Sequence, residues 1–213
     1  MNPRAIVAVA ENTFKEAARN RVLYAIVGAT LFVSALSWVL ASISTGDDVT
    51  AARRFMIIAD LSLSAIAVLG TLCAIFLGTN LVYQEVERKT VYTILARPIA
   101  RWEFITGKFA GLSAVVVAAI GVMALGFVAI YCLYGGAHTL SWKHGLALSF
   151  TAVELVVIVA LSLLFSTIAH PIEGAIFVFI LSFAGHATRN LDKLGEELLR
   201  PQADGQPAGT VTV

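Results

Sequence analysis

Five long runs of apolar residues, separated by short charged or turn-forming stretches, dominate the chain. Val22–Ile43 carries no charge over 22 residues, and Leu61–Tyr83 none over 23, with Asp60 at its leading edge. Phe109–Tyr134 is uncharged and rich in Val, Ala and Gly, while Leu146–Ala169 holds one acid, Glu154. Ile172–Ala187 is shorter and carries Glu173 one residue inside its start. A bilayer core about 30 Å thick takes about 20 apolar residues as a helix, so the pattern predicts five spans. His170-Pro171 separates the last two, because proline cannot continue the preceding helix.

The ends of the chain read differently. Ile6, Val9, Ala10, Thr13, Phe14 and Ala17 recur at three- and four-residue steps, with Arg4, Glu11, Lys15 and Arg19 opposite. That spacing predicts an amphipathic helix over residues 1–21. Leading straight into a span, it is expected to lie along the cytoplasmic membrane surface with Ile6, Val9 and Phe14 buried. It is too long and too acidic, with Glu11 and Glu16, for the basic head of a secretory signal, and the run after it has spanning length. Beyond the fifth span, residues 188–213 form a third region. Arg189–Arg200 mixes charges with Leu191, Leu194, Leu198 and Leu199, and Pro201–Val213 has the polar, Gly- and Pro-rich composition of a disordered tail.

Composition agrees with an all-α, polytopic membrane bundle over residues 22–187. Hydrophobic residues make up 58% of the 213 and charged residues 14%. Mean hydropathy is +0.83. A soluble protein of this size lacks the polar residues to cover its surface at those values, which excludes a soluble enzyme, a disordered chain and a disulfide scaffold. With 15 basic and 14 acidic residues there is no nucleic-acid surface to propose. Cys73 and Cys132 read as small apolar packing residues. Basic residues concentrate in the head (Arg4, Lys15, Arg19, Arg21) and in the segment between the second and third spans (Arg88, Lys89, Arg97, Arg101, Lys108). The positive-inside rule therefore places the N-terminus and the 84–108 loop in the cytoplasm.

Catalytic patterns are missing. His170-Pro171-Ile172-Glu173 lacks the spacing of a zinc protease helix, and Gly111-Leu112-Ser113-Ala114 departs from the Gly-x-Ser-Gly of an intramembrane serine protease. Gly107-Lys108 ends like a P-loop, but Phe109 replaces the magnesium-binding hydroxyl and Trp102 the first glycine. No metal ligand set is visible among His138, His144, His170 and His186. Within the spans, Glu154 is the one acid far from an end, nine residues into Gly145–Ala169. At 1.5 Å per residue that is about 13 Å deep. An ionised group there faces protein or water, so Glu154 either pairs with a neighbouring helix or lines a pathway. Asp60 and Glu173 read as boundary residues.

The 84–108 loop carries the most specific pattern. Glu85, Glu87, Arg88, Lys89 and Thr90 open it, and Val91, Ile94 and Leu95 follow at helical spacing. Arg97-Pro98 ends that helix, Arg101 follows the turn, and Trp102–Lys108 begins the next one. Gly107 and Gly111 form a Gly-x-x-x-Gly pair that lets another helix approach closely.

Glu85-x-Glu87-Arg88-Lys89-Thr90, Leu95-Ala96-Arg97-Pro98-Ile99-x-Arg101-x-Glu103-Phe104 and Gly107-Lys108 together resemble the cytoplasmic loop of ABC-2-type transporter permeases. Gly185-His186 with the leucine-bearing segment after it resembles the branch that includes the nitrous-oxide-reductase maturation permeases. The resemblance covers about 190 residues and implies the membrane subunit of an ATP-driven exporter in the inner membrane. The implied partners are two ATPase subunits, which would carry ATP and magnesium, a second permease protomer (identical or related), and lipid. No cofactor and no catalytic residue is expected on this chain. Gln84–Leu95 would be the ATPase-coupling helix and Arg97, Pro98, Arg101, Glu103, Phe104, Gly107 and Lys108 the turn and re-entry. Such permeases usually have six spans where this sequence has five, which means either a shortened sequence or an outside C-terminus. The second reading is accordingly a non-transporting scaffold or assembly factor with a truncated permease fold. A secondary transporter or channel would need more ionisable groups at the midplane than Glu154.

Overall fold

Apolar runs mark where a chain meets lipid, but a helix continues wherever its backbone bonds do. The computed structural model describes residues 3–44, 51–87, 101–133, 141–168 and 170–199. These form six helices: α1 (Pro3–Ala18), α2 (Arg21–Ser44), α3 (Ala51–Glu87), α4 (Arg101–Leu133), α5 (Trp142–Ile168) and α6 (Pro171–Leu199). No strand occurs among the described residues. Four helices contain stretches long and apolar enough to cross a membrane, namely Arg21–Leu40, Phe55–Asn80, Trp102–Leu133 and Trp142–Ile168. α6 is apolar only over Ile172–His186, yet its helix runs on to Leu199 through the amphipathic segment.

The helices overrun the apolar runs that predicted them. α3 has 37 residues and α4 has 33, about 55 and 50 Å at 1.5 Å per residue. Both exceed a core of about 30 Å. Gln84, Glu85 and Glu87 are sound helix formers, so nothing local ends α3 where its apolar run ends. Real ends carry caps. Asn20 Oδ1 accepts from the Val22 N–H at 3.0 Å, starting α2. At α5 the Ser141 N–H donates to His144 Nδ1 at 3.2 Å, and Pro171 occupies the first position of α6, where its missing N–H costs nothing.

α3 lies at the centre, packed against α2, α4, α5 and α6. Its buried Ile66, Cys73, Ala74 and Leu77 meet Leu112, Val115, Val116, Met123 and Phe127 of α4, Leu155 and Val159 of α5, and Val178 of α6 in one core. α3 and α5 run in the same direction. Gly70 faces Leu155, Gly78 faces Ser162, and Ser166 Oγ donates to the Thr79 carbonyl at 3.4 Å. A Cβ at Gly78 would overlap the Ser162 Cβ, and one at Gly126 would overlap Leu31 of α2. Small residues thus set the helix spacing.

Most buried hydroxyls are satisfied inside their own helix. Thr30 donates to the Ile26 carbonyl at 2.9 Å, Ser34 to Thr30 at 2.9 Å, Thr79 to Ile75 at 2.8 Å and Ser162 to Ile158 at 2.8 Å. Ser37 donates to the Ser34 carbonyl at 2.7 Å and also stands 3.2 Å from the Ser62 hydroxyl of α3. At one end of the bundle Phe55, Phe127, Tyr131 and His144 cluster, with Phe55–Tyr131 and Phe127–Tyr131 centroids both 5.4 Å apart. His144 completes the cluster at 6.1 and 6.0 Å from the latter two. Tyr131, with an apolar ring and a polar tip, suits a membrane–water boundary.

Gly78→Val should destabilise the protein by about 1–3 kcal/mol, the usual cost of overpacking, read as a lower unfolding midpoint in lipid nanodiscs. At Gly121 a Cβ would meet nothing within 4 Å, and Gly121→Ala should leave the midpoint unchanged or raise it.

Candidate functional site

The two ends of the 84–108 loop emerge from the two longest helices. Gln84–Glu87 form the last turn of α3 rather than the start of a separate helix, and Arg101–Lys108 form the first two turns of α4. Glu85 and Glu87 therefore continue a membrane helix. Arg88, Lys89, Thr90, Val91, Ile94, Leu95, Arg97 and Pro98 lie outside the described residues, as does the Pro201–Val213 tail. α3 runs seven residues past its apolar stretch Phe55–Asn80, about 10 Å at 1.5 Å per residue, whereas the apolar stretch of α4, Trp102–Leu133, takes in all but its first residue. These two helix ends form the stalk that carries the loop.

α1 braces that stalk. It packs most extensively on α4, and the contact runs through the glycine pair. A Cβ at Gly107 would stand 2.8 Å from Val9 Cβ and 3.0 Å from the Ile6 carbonyl oxygen. One at Gly111 would stand 2.6 Å from the Ala10 carbonyl oxygen and 2.8 Å from Thr13 Cβ. Four residues along α4 thus correspond to four along α1, so the two helices advance in the same direction with their backbones touching. The sequence predicts this helix along the membrane surface, next to the 84–108 loop; its apolar face packs on α4, the helix that follows that loop.

The buried set of α1 also shifts. Thr13 and Ala17 are buried and Ile6, Val9 and Ala10 half-buried, whereas Phe14 is 38% exposed. The spacing puts Phe14 inside, but a close glycine contact admits the small residues of that face and turns the large ring out. On the outer face, Lys15 Nζ meets Glu11 Oε1 at 2.6 Å. The hydrogen bond and charge of Lys15 hold the Glu11 carboxyl below its usual range. That contribution is present above the ordinary carboxylate value and lost as pH falls through the lowered one; both groups are exposed, so it is small.

Near the start of α4 two charged residues are buried. Glu103, in the first turn of α4, is buried, where the helix dipole favours an acid. Lys108 is buried too, its Nζ 5.2 Å from the centre of the Phe104 ring, a cation–π distance. Trp102 and Ile105 remain exposed beside them. Phe104 and Lys108 are thus brought together beside Gly107, the residue that meets α1.

Glu154 stands apart, in the middle of α5. Its Oε1 lies 3.5 Å from Nε2 of His186 on α6, a residue that by sequence alone reads as an isolated boundary histidine. The signal was present: Glu154 and His186 each stand sixteen residues from His170, so a helical hairpin broken at His170-Pro171 sets them level. Asp60 and Glu173 are exposed. Among the described residues no group of three or more His, Cys, Asp and Glu could hold a metal ion.

Gly111→Leu should push α1 off α4. Expected are a destabilisation of about 1–3 kcal/mol and faster proteolysis between α1 and α2, while insertion of the later spans persists. Protease resistance equal to wild type would show that the glycine contact does not hold α1.

Four helices of spanning length and a fifth apolar stretch make the protein an integral membrane protein. No curated protein matches the chain. The family model for the ABC-2 family transporter protein matches residues 7–185, from the first turns of α1 to the residue before His186. Permeases of this family are the transporting membrane components that work with ABC ATPases, rather than enzymes themselves. The chain belongs to the ABC-2 transporter family and is one of its membrane permease components.

Proposed function

We propose that the chain is the permease subunit of an ATP-driven exporter of the inner membrane, forming the translocation pathway as a dimer with an identical or related permease. Two separate ATPase subunits, holding ATP and magnesium, dock on the cytoplasmic 84–108 loop. The observation that carries this reading is the mount of the loop: α3 runs on to Glu87, past its apolar stretch Phe55–Asn80, and α1 braces the start of α4 through Gly107 and Gly111. A rigid mount passes a push on the loop directly to two spans. In the loop, Glu85, Glu87, Arg88 and Lys89 supply polar contacts with Thr90, and Val91, Ile94 and Leu95 the apolar anchor; Arg97, Pro98 and Arg101 return the chain to α4.

Reversing both charges, Glu87→Lys with Arg88→Glu, should release the ATPase or abolish the stimulation of its ATP hydrolysis while the spans stay folded. Co-purification and stimulated hydrolysis equal to wild type would reject the docking assignment. An intact complex that hydrolyses ATP but moves no cargo would instead favour the scaffold reading.

Orientation has its own check. Cys132, exposed near the end of α4 opposite the loop, should react with a membrane-impermeant maleimide applied to spheroplasts from outside, and buried Cys73 should not. Labelling of Cys132 from inside-out vesicles alone would invert the topology.

A further inference from the structure

α5 and α6 form a hairpin broken at His170-Pro171. Near the break Gly174 stands against the Phe165 backbone, and the Phe165 and Phe177 rings stack with centroids 5.8 Å apart. Further along, Glu154 Oε1 comes within 3.5 Å of His186 Nε2. Glu154 stands about 18 Å from the Trp142 end of α5 and about 21 Å from the Ile168 end at 1.5 Å per residue, near the middle of a bilayer. On the single chain the pair is open on one side, with the Glu154 and His186 side chains 29% and 48% exposed. Polar groups at that depth face protein or water, since acyl chains solvate them poorly.

The rim of that opening is apolar. Phe150 and Val157 lie one turn to either side of Glu154 on α5, and Phe183 and Phe179 lie one and two turns before His186 on α6, all four exposed. A lone polar pair ringed by apolar side chains is the composition of a helix–helix seam in which one polar contact fixes the register. A water-filled passage would carry more polar groups along its wall. A soluble ATPase and lipid headgroups do not reach the midplane, so the cover is another membrane chain. An acid and an imidazole side by side are also self-complementary. Half a turn about an axis passing between them sets Glu154 of each copy towards the partner's His186, the arrangement of an isologous two-fold dimer.

We propose that the α5–α6 face around Glu154 and His186 is the surface on which two copies of this chain meet, each closing the open side of the other's polar pair. The inference rests on the dimer reading above. It adds the face, and it makes the partner a second copy rather than a related permease. The polar contact then sets the level of one protomer against the other, while the aromatic and aliphatic rim excludes lipid.

The test is cross-linking of the full chain in native membranes, with its own thiols replaced by Cys73→Ala and Cys132→Ser. Phe183→Cys should give a covalent homodimer with a short bis-maleimide. Phe32→Cys, exposed on α2, which packs on α3 and α4, should give little. A homodimer yield at Phe32→Cys equal to or above that at Phe183→Cys would overturn the face and leave the dimer reading standing. Two differently tagged copies should co-purify from membranes that hold the ATPase. Their failure to do so would overturn the proposal, and a related permease recovered in place of the second copy would again leave the dimer reading standing. His186→Phe should weaken the association of two labelled copies in lipid vesicles by about threefold to about thirtyfold, the range for a polar contact between membrane helices. Association equal to wild type would overturn the part assigned to the polar pair.

Discussion

Inside lipid, helices gain nothing from hiding apolar surface from one another, since the acyl chains are as apolar as leucine. What holds such helices together is how closely their backbones approach. In this protein that closeness comes from glycine and serine at a few positions: Gly78 against Ser162, Gly70 against Leu155, Gly126 against Leu31, and Gly107 with Gly111 against α1. Those approaches set how near α3 comes to α5, α2 to α4 and α1 to α4.

The spans were legible because uncharged stretches of 22 and 23 residues admit one interpretation. Their ends were not. Composition changes where lipid ends, but Gln84, Glu85 and Glu87 remain good helix formers in water, so α3 runs past the change. The glycine pair announced a close helix contact without naming the helix, because the 3.6-residue period of α1 fits lipid or protein equally well. Phe14 shows the limit of that period. It belongs to the apolar set by spacing, yet lies just outside the arc that the glycines admit. His186 was hidden for a different reason: a residue-by-residue search finds motifs within a segment, while its partnership with Glu154 depends on a symmetry about His170-Pro171.

The bundle has two different ends. One gathers Phe55, Phe127, Tyr131 and His144 into an aromatic cluster. At the other, α1 lies alongside the start of α4, with Glu11 and Lys15 exposed on α1 and Glu103 and Lys108 buried on α4. α1 joins α2 through the two-residue break at Arg19 and Asn20, so the start of α4 is linked through a side-by-side contact to α2, a span that does not flank the loop. A displacement of α4 thereby reaches α2 as well as α3.

The buried hydroxyls have a mechanical consequence. Thr30, Ser34, Thr79 and Ser162 give their hydrogens to carbonyls of their own helices, and the contacts that cross between helices are the longer ones, Ser37 to Ser62 at 3.2 Å and Ser166 to Thr79 at 3.4 Å. Neighbouring helices are therefore joined by shape more than by directional bonds. A helix joined in this way keeps those four hydroxyls satisfied if it shifts along its neighbour. The resistance such a shift meets is steric, and is greatest where Gly78 faces Ser162 and Gly126 faces Leu31.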